Sequence, residues 1–279
     1  MKRIFAFALL TCLLLSGCKT AVAPAGSAST PEQPQPSTSE PSPTVSTEPE
    51  AEQATVYLLD KTTRYNEAGG VMDTIEHYYD EAYNIDTYKV LSPTNELDET
   101  VYFEEKDANG MAGKCRSDWG DGFGKTNTLL WHEDGKLKEV QYDTAFYGAV
   151  RGLRFVYDTS GIPSQKQEYY EESVASVLHY EYDGDMLQRA SCMNWDEHMT
   201  FEYRCEDGRV VERICYTEEG SKACTHDFAY DENGNLVQET THEDGKTVPT
   251  KAYTYKAVQV DATRVPYLVE QQNYLLSIE

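Results

Sequence analysis

Basic residues are scarce: 24 Lys and Arg stand against 48 Asp and Glu, a formal net charge of −24. A field of that sign repels nucleic acid, which is excluded as a partner. Long apolar runs are missing too. The longest, Ile4 to Leu15, falls short of the roughly 20 residues of a membrane-spanning helix. Trp and Phe are few, at 3 and 8, whereas Tyr reaches 21, a bias that suits strands with one buried and one wetted face.

Catalytic signatures are also wanting. The six histidines, His77, His132, His179, His198, His226 and His242, form no HExxH pattern, and no serine sits in a GxSxG elbow. A phosphate loop at Gly120–Thr126 fails because Trp119 stands where GxxxxGK[ST] requires glycine. A calcium loop starting at Asp231 would need glycine sixth and a carboxylate twelfth, where Leu236 and His242 stand. With no CxxC and no zinc-type Cys/His spacing, neither a metal nor a cofactor is expected. No catalytic residue is named, because 48 acids supply a carboxylate pair at any chosen separation.

The N-terminus, by contrast, is specific. Lys2 and Arg3 precede the apolar stretch, and Leu15-Ser16-Gly17-Cys18 closes it. These residues resemble the bacterial lipobox, which implies cleavage before Cys18 and a lipid on its thiol. Residues 1–17 are then a signal peptide, and the chain is an exported protein held to the cell membrane through Cys18. Each buried methylene adds roughly 0.8 kcal/mol, so two or three acyl chains hold firmly. Residues 18–53 read as a Pro/Ser/Thr-rich linker, which in extended form reaches about 100 Å at roughly 3.1 Å per residue.

Residues 54–279 carry an internal repeat: an aromatic, acidic or small polar residues, a glycine, then an alternating apolar segment. It occurs at Tyr65, Trp131, Tyr157, Tyr182, Tyr203 and Tyr230, and less clearly at Tyr79-Asp80, which lacks the glycine. Asp-Gly and Asn-Gly tolerate positive φ and signal tight hairpins between period-two strands. Phe228-Ala-Tyr230-Asp231-Glu-Asn-Gly234-Asn-Leu236, followed by Glu243-Asp-Gly245 and Tyr253-Thr-Tyr255, resembles one unit of the YD repeats of Rhs-type proteins. That resemblance implies hairpins wound into a curved sheet and no common activity. The expected fold is all-β: an antiparallel sheet of repeated hairpins, open and curved or spiral. A short C-terminal helix after Pro266, with Leu268, Val269, Leu275 and Leu276 as its apolar stripe, is expected to cap the sheet edge.

Five cysteines remain beyond the lipid site. Cys215 and Cys224 flank Glu218–Ser221 and would lie opposite each other on paired strands, so a disulfide between them is one expectation and a pair of buried free thiols the other. The repeat tyrosines are expected to pack structurally, with the acidic residues bonding turn amides. The functional expectation is a non-catalytic binding module on the cell envelope, its partner a surface protein or polysaccharide. A glycan hydrolase and a spacer or immunity-type repeat protein are the alternatives.

Overall fold

A computed structural model describes residues 52–120, 122–194 and 198–278. Cys18, the signal segment and nearly all of the linker lie outside the described residues. The strands are β1 (Gln53–Tyr65), β2 (Val71–Tyr79), β3 (Ile85–Leu91), β4 (Leu97–Lys106), β5 (Ala112–Asp118), β6 (Gly124–Trp131), β7 (Leu137–Gln141) and β8 (Arg151–Tyr157). They continue as β9 (Pro163–Tyr170), β10 (Ser173–Asp183), β11 (Met186–Asn194), β12 (His198–Glu206), β13 (Arg209–Tyr216), β14 (Lys222–Tyr230), β15 (Leu236–Glu243) and β16 (Lys246–Asp261). Helix α1 (Thr144–Tyr147) joins β7 to β8, and α2 (Val265–Ile278) follows β16.

Each strand pairs antiparallel with its neighbour in the chain, and β1 pairs with β16, from Gln53↔Asp261 to Arg64↔Lys251. The sheet is therefore a closed 16-stranded barrel, and the expectation of an open curved or spiral sheet is overturned. The two closing strands are the longest, at 13 and 16 residues, and their ladder removes both edges that an open sheet would expose.

One turn design recurs. At Asp80, Asp107, His132, Asp158 and Asp231 the amide bonds the carbonyl four residues on, and the amide three residues on bonds back. The residue at that third position is left-handed: Gly110, Gly135, Gly161 and Gly234, with Tyr83 (φ 64°) filling the place where glycine is missing. Asp231 Oδ1 accepts the amides of Asn233 and Asn235, as the aspartates at 80, 107 and 158 do in their own turns. The Asp207-Gly208 and Asp244-Gly245 turns have positive φ at both residues, the tight two-residue hairpins expected of Asp-Gly.

All of these turns but Asp244-Gly245, which joins β15 to β16 at the other end, gather at one end of the barrel, called here the closed end. There the aromatic that precedes four of the turns, Tyr79, Trp131, Tyr157 and Tyr230, has a definite task. Between successive hairpins the ladder stops short, at Lys61↔Glu76, Glu139↔Arg154 and Glu212↔Asp227. Beyond it, Tyr79, Tyr157 and Tyr230 donate their hydroxyls to the carbonyls of Leu59, Leu137 and Val210, and Trp131 Nε1 donates to Ala112. A side chain thus replaces the missing backbone bond and keeps a buried carbonyl satisfied.

Helix α2 fills the closed end from within. Leu268 and Leu275 are fully buried, and Tyr274 packs edge-on against Phe103 and Trp131 at 6.1 and 5.9 Å. Gln272 Oε1 accepts the amide of Leu59, where the sheet has a bulge, and Gln271 Oε1 accepts the amide of Ile85. The helix is therefore a plug inside the barrel and not a cap on an edge, since the closed sheet has no edge to cap.

Candidate functional site

Alternation divides each strand between wall and lumen. Phe103, Cys115, Leu129, Val140, Phe155, Leu178, Ala190, Phe201 and Phe228 point inward into one apolar core. Outward positions at mid-strand are polar: Lys61 pairs with Glu76, Arg116 with Glu104, Arg204 with Glu212 and His242 with Asp227. A lipid-spanning barrel needs an outward apolar band about 25 Å tall, and this wall has the reverse polarity.

Toward the other end, the mouth, the inward face changes character. A cavity of about 360 Å³ opens there, its floor formed by Tyr274 and Ser277 of α2. Apolar walls come from Ile75, Val90, Leu137, Val140, Leu153 and Phe155, with the tyrosines Tyr88 and Tyr142 among them. Four cations line it, Arg64, Lys125, Arg151 and Lys166, against the carboxylate Glu99. The acidic excess of the chain is thus carried elsewhere, and the cavity concentrates positive charge inside a negative protein.

Packing orients these cations. Arg64 makes a bidentate pair with Asp73 at 2.6 Å on both arms. Arg151 lies over Tyr147 at 4.7 Å and Tyr142 at 5.5 Å, and reaches Glu168 at 3.6 Å. Lys125 stands 5.7 Å from the Trp119 ring and 5.9 Å from that of Tyr147. The loop that carries Tyr147 is pinned: Asp143 caps α1 through the amides of Ala145 and Phe146 and accepts the amide of Thr126 in β6. Those amides hold the Asp143 carboxyl below its ordinary value, the Thr126 bond contributing most.

Burial also sets the protonation of the groups around the floor. Burial pushes the Cys115 thiol up to about 12 and the Tyr274 hydroxyl well above its usual value. Both stay protonated at neutral pH.

Around the mouth the surface turns apolar. Among the described residues, ten of the thirteen exposed large apolar side chains lie in the strand ends and turns at this end, Leu97, Trp119, Phe123, Phe146, Tyr170 and Met193 among them. Trp119 and Phe146 pack with centroids 5.4 Å apart and ring planes tilted by 56°. The sequence singled out the Gly120–Thr126 segment only to reject it as a phosphate loop. Its described residues belong to the β5–β6 hairpin and deliver Lys125 to the cavity.

Cys215 and Cys224 are direct cross-strand partners, facing inward, and both are free thiols. His226, two residues along on the same face, brings Nε2 to 3.3 Å from Cys224 Sγ. A hydrogen bond from Cys224 favours the thiolate on Cys215, and Arg213 adds to it. Lipidation at Cys18 belongs to the undescribed residues. Sequence reasoning missed the four lumen cations, whose only signal was their place among apolar positions of alternating strands.

No protein-family model matches the chain, and no curated protein matches its sequence. Among solved structures, a porin-like protein from Bacteroides uniformis ATCC 8492 is similar with a TM-score of 0.50 and 16% identity, over 72% of this chain and 98% of that one. This likeness is one of fold. A TcdB2-TccC3-Cdc42 complex matches with a TM-score of 0.25 and 9% identity, over 67% of this chain. The chain spans 15% of that much longer one.

Proposed function

We propose that the chain is a lipid-anchored, extracytoplasmic binding protein whose barrel mouth takes the end of an acidic saccharide. The observation that carries this reading is the coincidence, at one end of the barrel, of a cationic cavity and ten of the thirteen exposed large apolar side chains among the described residues. Sugar faces stack on exposed rings such as Trp119 and Phe146, while carboxylate or sulfate groups meet Lys125 and Arg151. At about 360 Å³ the cavity falls at the small end of the roughly 300–1,000 Å³ range of ligand sites. It suits a chain end better than the middle of a polymer.

Orientation supports the same reading. Strand β1 begins at the closed end, beside Asp261, so a tether joined to its N-terminus would attach at the end opposite the mouth. Glycoside cleavage requires two carboxylates flanking one bond, whereas Glu99 is the sole carboxylate among the described residues lining the cavity. Binding without turnover is the reading favoured by this lining.

The test is calorimetric titration of the purified chain with uronic-acid and sulfated oligosaccharides, set against neutral ones of equal length. Saturable, salt-sensitive binding of the acidic set, reduced at least tenfold by Lys125→Ala, is expected. Equal affinity for the neutral set would remove the acidic specificity. Binding of neither would end the saccharide reading and shift weight to a protein partner.

A further inference from the structure

Away from the cavity, on the opposite arc of the barrel, three soft donors converge inside the wall. Cys215 of β13 and Cys224 of β14 are cross-strand partners, and Cys224-Thr-His226 puts the imidazole on the same face by the two-residue period of a strand. The two sulfurs and an imidazole nitrogen all lie within 4.8 Å of one another. Around a tetrahedral zinc ion, bonds of about 2.3 Å to sulfur and 2.0–2.1 Å to nitrogen place such donors roughly 3.6–3.8 Å apart. The Cys224 Sγ to His226 Nε2 distance of 3.3 Å already stands near that spacing.

The imidazole is also oriented by a further layer. His226 Nδ1 lies 3.0 Å from Thr241 Oγ1, which in turn lies 2.6 Å from Thr250 Oγ1. With the Nδ1 proton donated to Thr241, the Nε2 lone pair faces the two sulfurs, the arrangement by which outer partners fix a metal-bound histidine. Cys215 is buried and the other two donors half-buried, so the group is shielded without being sealed.

We propose that Cys215, Cys224 and His226 bind a zinc-class divalent ion inside the barrel wall. Binding releases both thiol protons to solvent and forms two metal–sulfur bonds and one metal–nitrogen bond. The resulting unit of one dication and two thiolates is neutral, which suits a site with Arg213 directly opposite His226. Three protein donors leave a fourth coordination position for water or another ligand. This site is independent of the saccharide reading, since none of its residues lines that cavity.

The probe is cobalt(II) added to the reduced full-length chain in mild detergent. One equivalent is expected to give thiolate-to-cobalt charge-transfer absorption, bleached by zinc. Cys215→Ser abolishes the band, Cys192→Ser preserves it, and Thr241→Val weakens binding 10–100-fold. A second arm needs no variant: zinc is expected to protect two thiols of the unmodified chain from oxidation and alkylation. Absence of the band from the unmodified chain, its full retention in Cys215→Ser, or a Cys215–Cys224 disulfide forming equally fast with and without zinc would each overturn the proposal.

Discussion

The Tyr230 hydroxyl donates to the carbonyl of Val210 at 2.8 Å, across a gap where β13 and β14 have stopped exchanging backbone bonds. The same clasp joins Tyr157 to Leu137 and Tyr79 to Leu59. It gives the recurring tyrosine of this chain a physical reason. The ring fills the widening space between hairpins, and its distal oxygen supplies the donor that the departing strand no longer offers.

Tyr230→Phe is accordingly expected to keep the ring packing and strand the Val210 carbonyl. The cost is about 1–3 kcal/mol, the penalty for a buried acceptor left without a partner. Chemical denaturation at constant m-value measures it. A loss below a few tenths of a kcal/mol would mean that water takes the carbonyl and that the clasp is incidental.

Position 83 offers a test of opposite sign. Tyr83 holds φ at 64° in the turn place where Gly110, Gly135, Gly161 and Gly234 stand in the sister hairpins. A left-handed conformation costs a non-glycine residue roughly 1–2 kcal/mol, and glycine returns part of that gain through its freer unfolded chain. Tyr83→Gly is expected to stabilise the protein by up to about 1 kcal/mol, read as a rise in Tm. A fall would show that contacts of the half-exposed ring outweigh the backbone strain.

How much of this was legible in the sequence follows from the range of the interactions. Turn chemistry is local, so Asp231 through Asn235 announced its hairpin, and the alternation around it announced antiparallel strands. Closure is not local: Arg64 meets Lys251 only after the whole sheet has wound round, and no repeat unit encodes its own total rotation. The helix illustrates the same limit. Its leucines were visible as an apolar stripe, but Gln271 and Gln272 acquire their role only from the unpaired amides of Ile85 and Leu59, on strands far away in the chain. Likewise Lys125 and Arg151 read as ordinary surface cations until closure turns their faces inward.

The plug should therefore carry much of the barrel's stability. Leu275 is fully buried among strands and helix alike, and truncating it leaves a cavity that a closed wall has little freedom to fill. Leu275→Ala is expected to cost about 2–5 kcal/mol. Because Tyr274 and Ser277 form the cavity floor, the same variant should weaken saccharide binding as well. A stability loss under 1 kcal/mol would indicate that the helix docks loosely and that the barrel stands without it.

Acid should act first on the loop at the mouth. Asp143 bonds the amide of Thr126, which is the main cause of its lowered carboxyl, and those of Phe146 and Ala145. A carboxylate whose folded pKa lies below its unfolded value contributes stability above the unfolded pKa of about 3.9, and loses it as pH falls through the folded one. Protonation would release α1 and the rings of Phe146 and Tyr147 that it carries. Protection of residues 144–150 from hydrogen exchange, measured against the intrinsic rate at each pH, is expected to fall below about pH 4. The Asp143→Asn chain should exchange faster already at neutral pH and show a flatter acid limb. Identical acid profiles for the two chains would place the control of this loop elsewhere, in the stacking of Arg151 on Tyr142 and Tyr147.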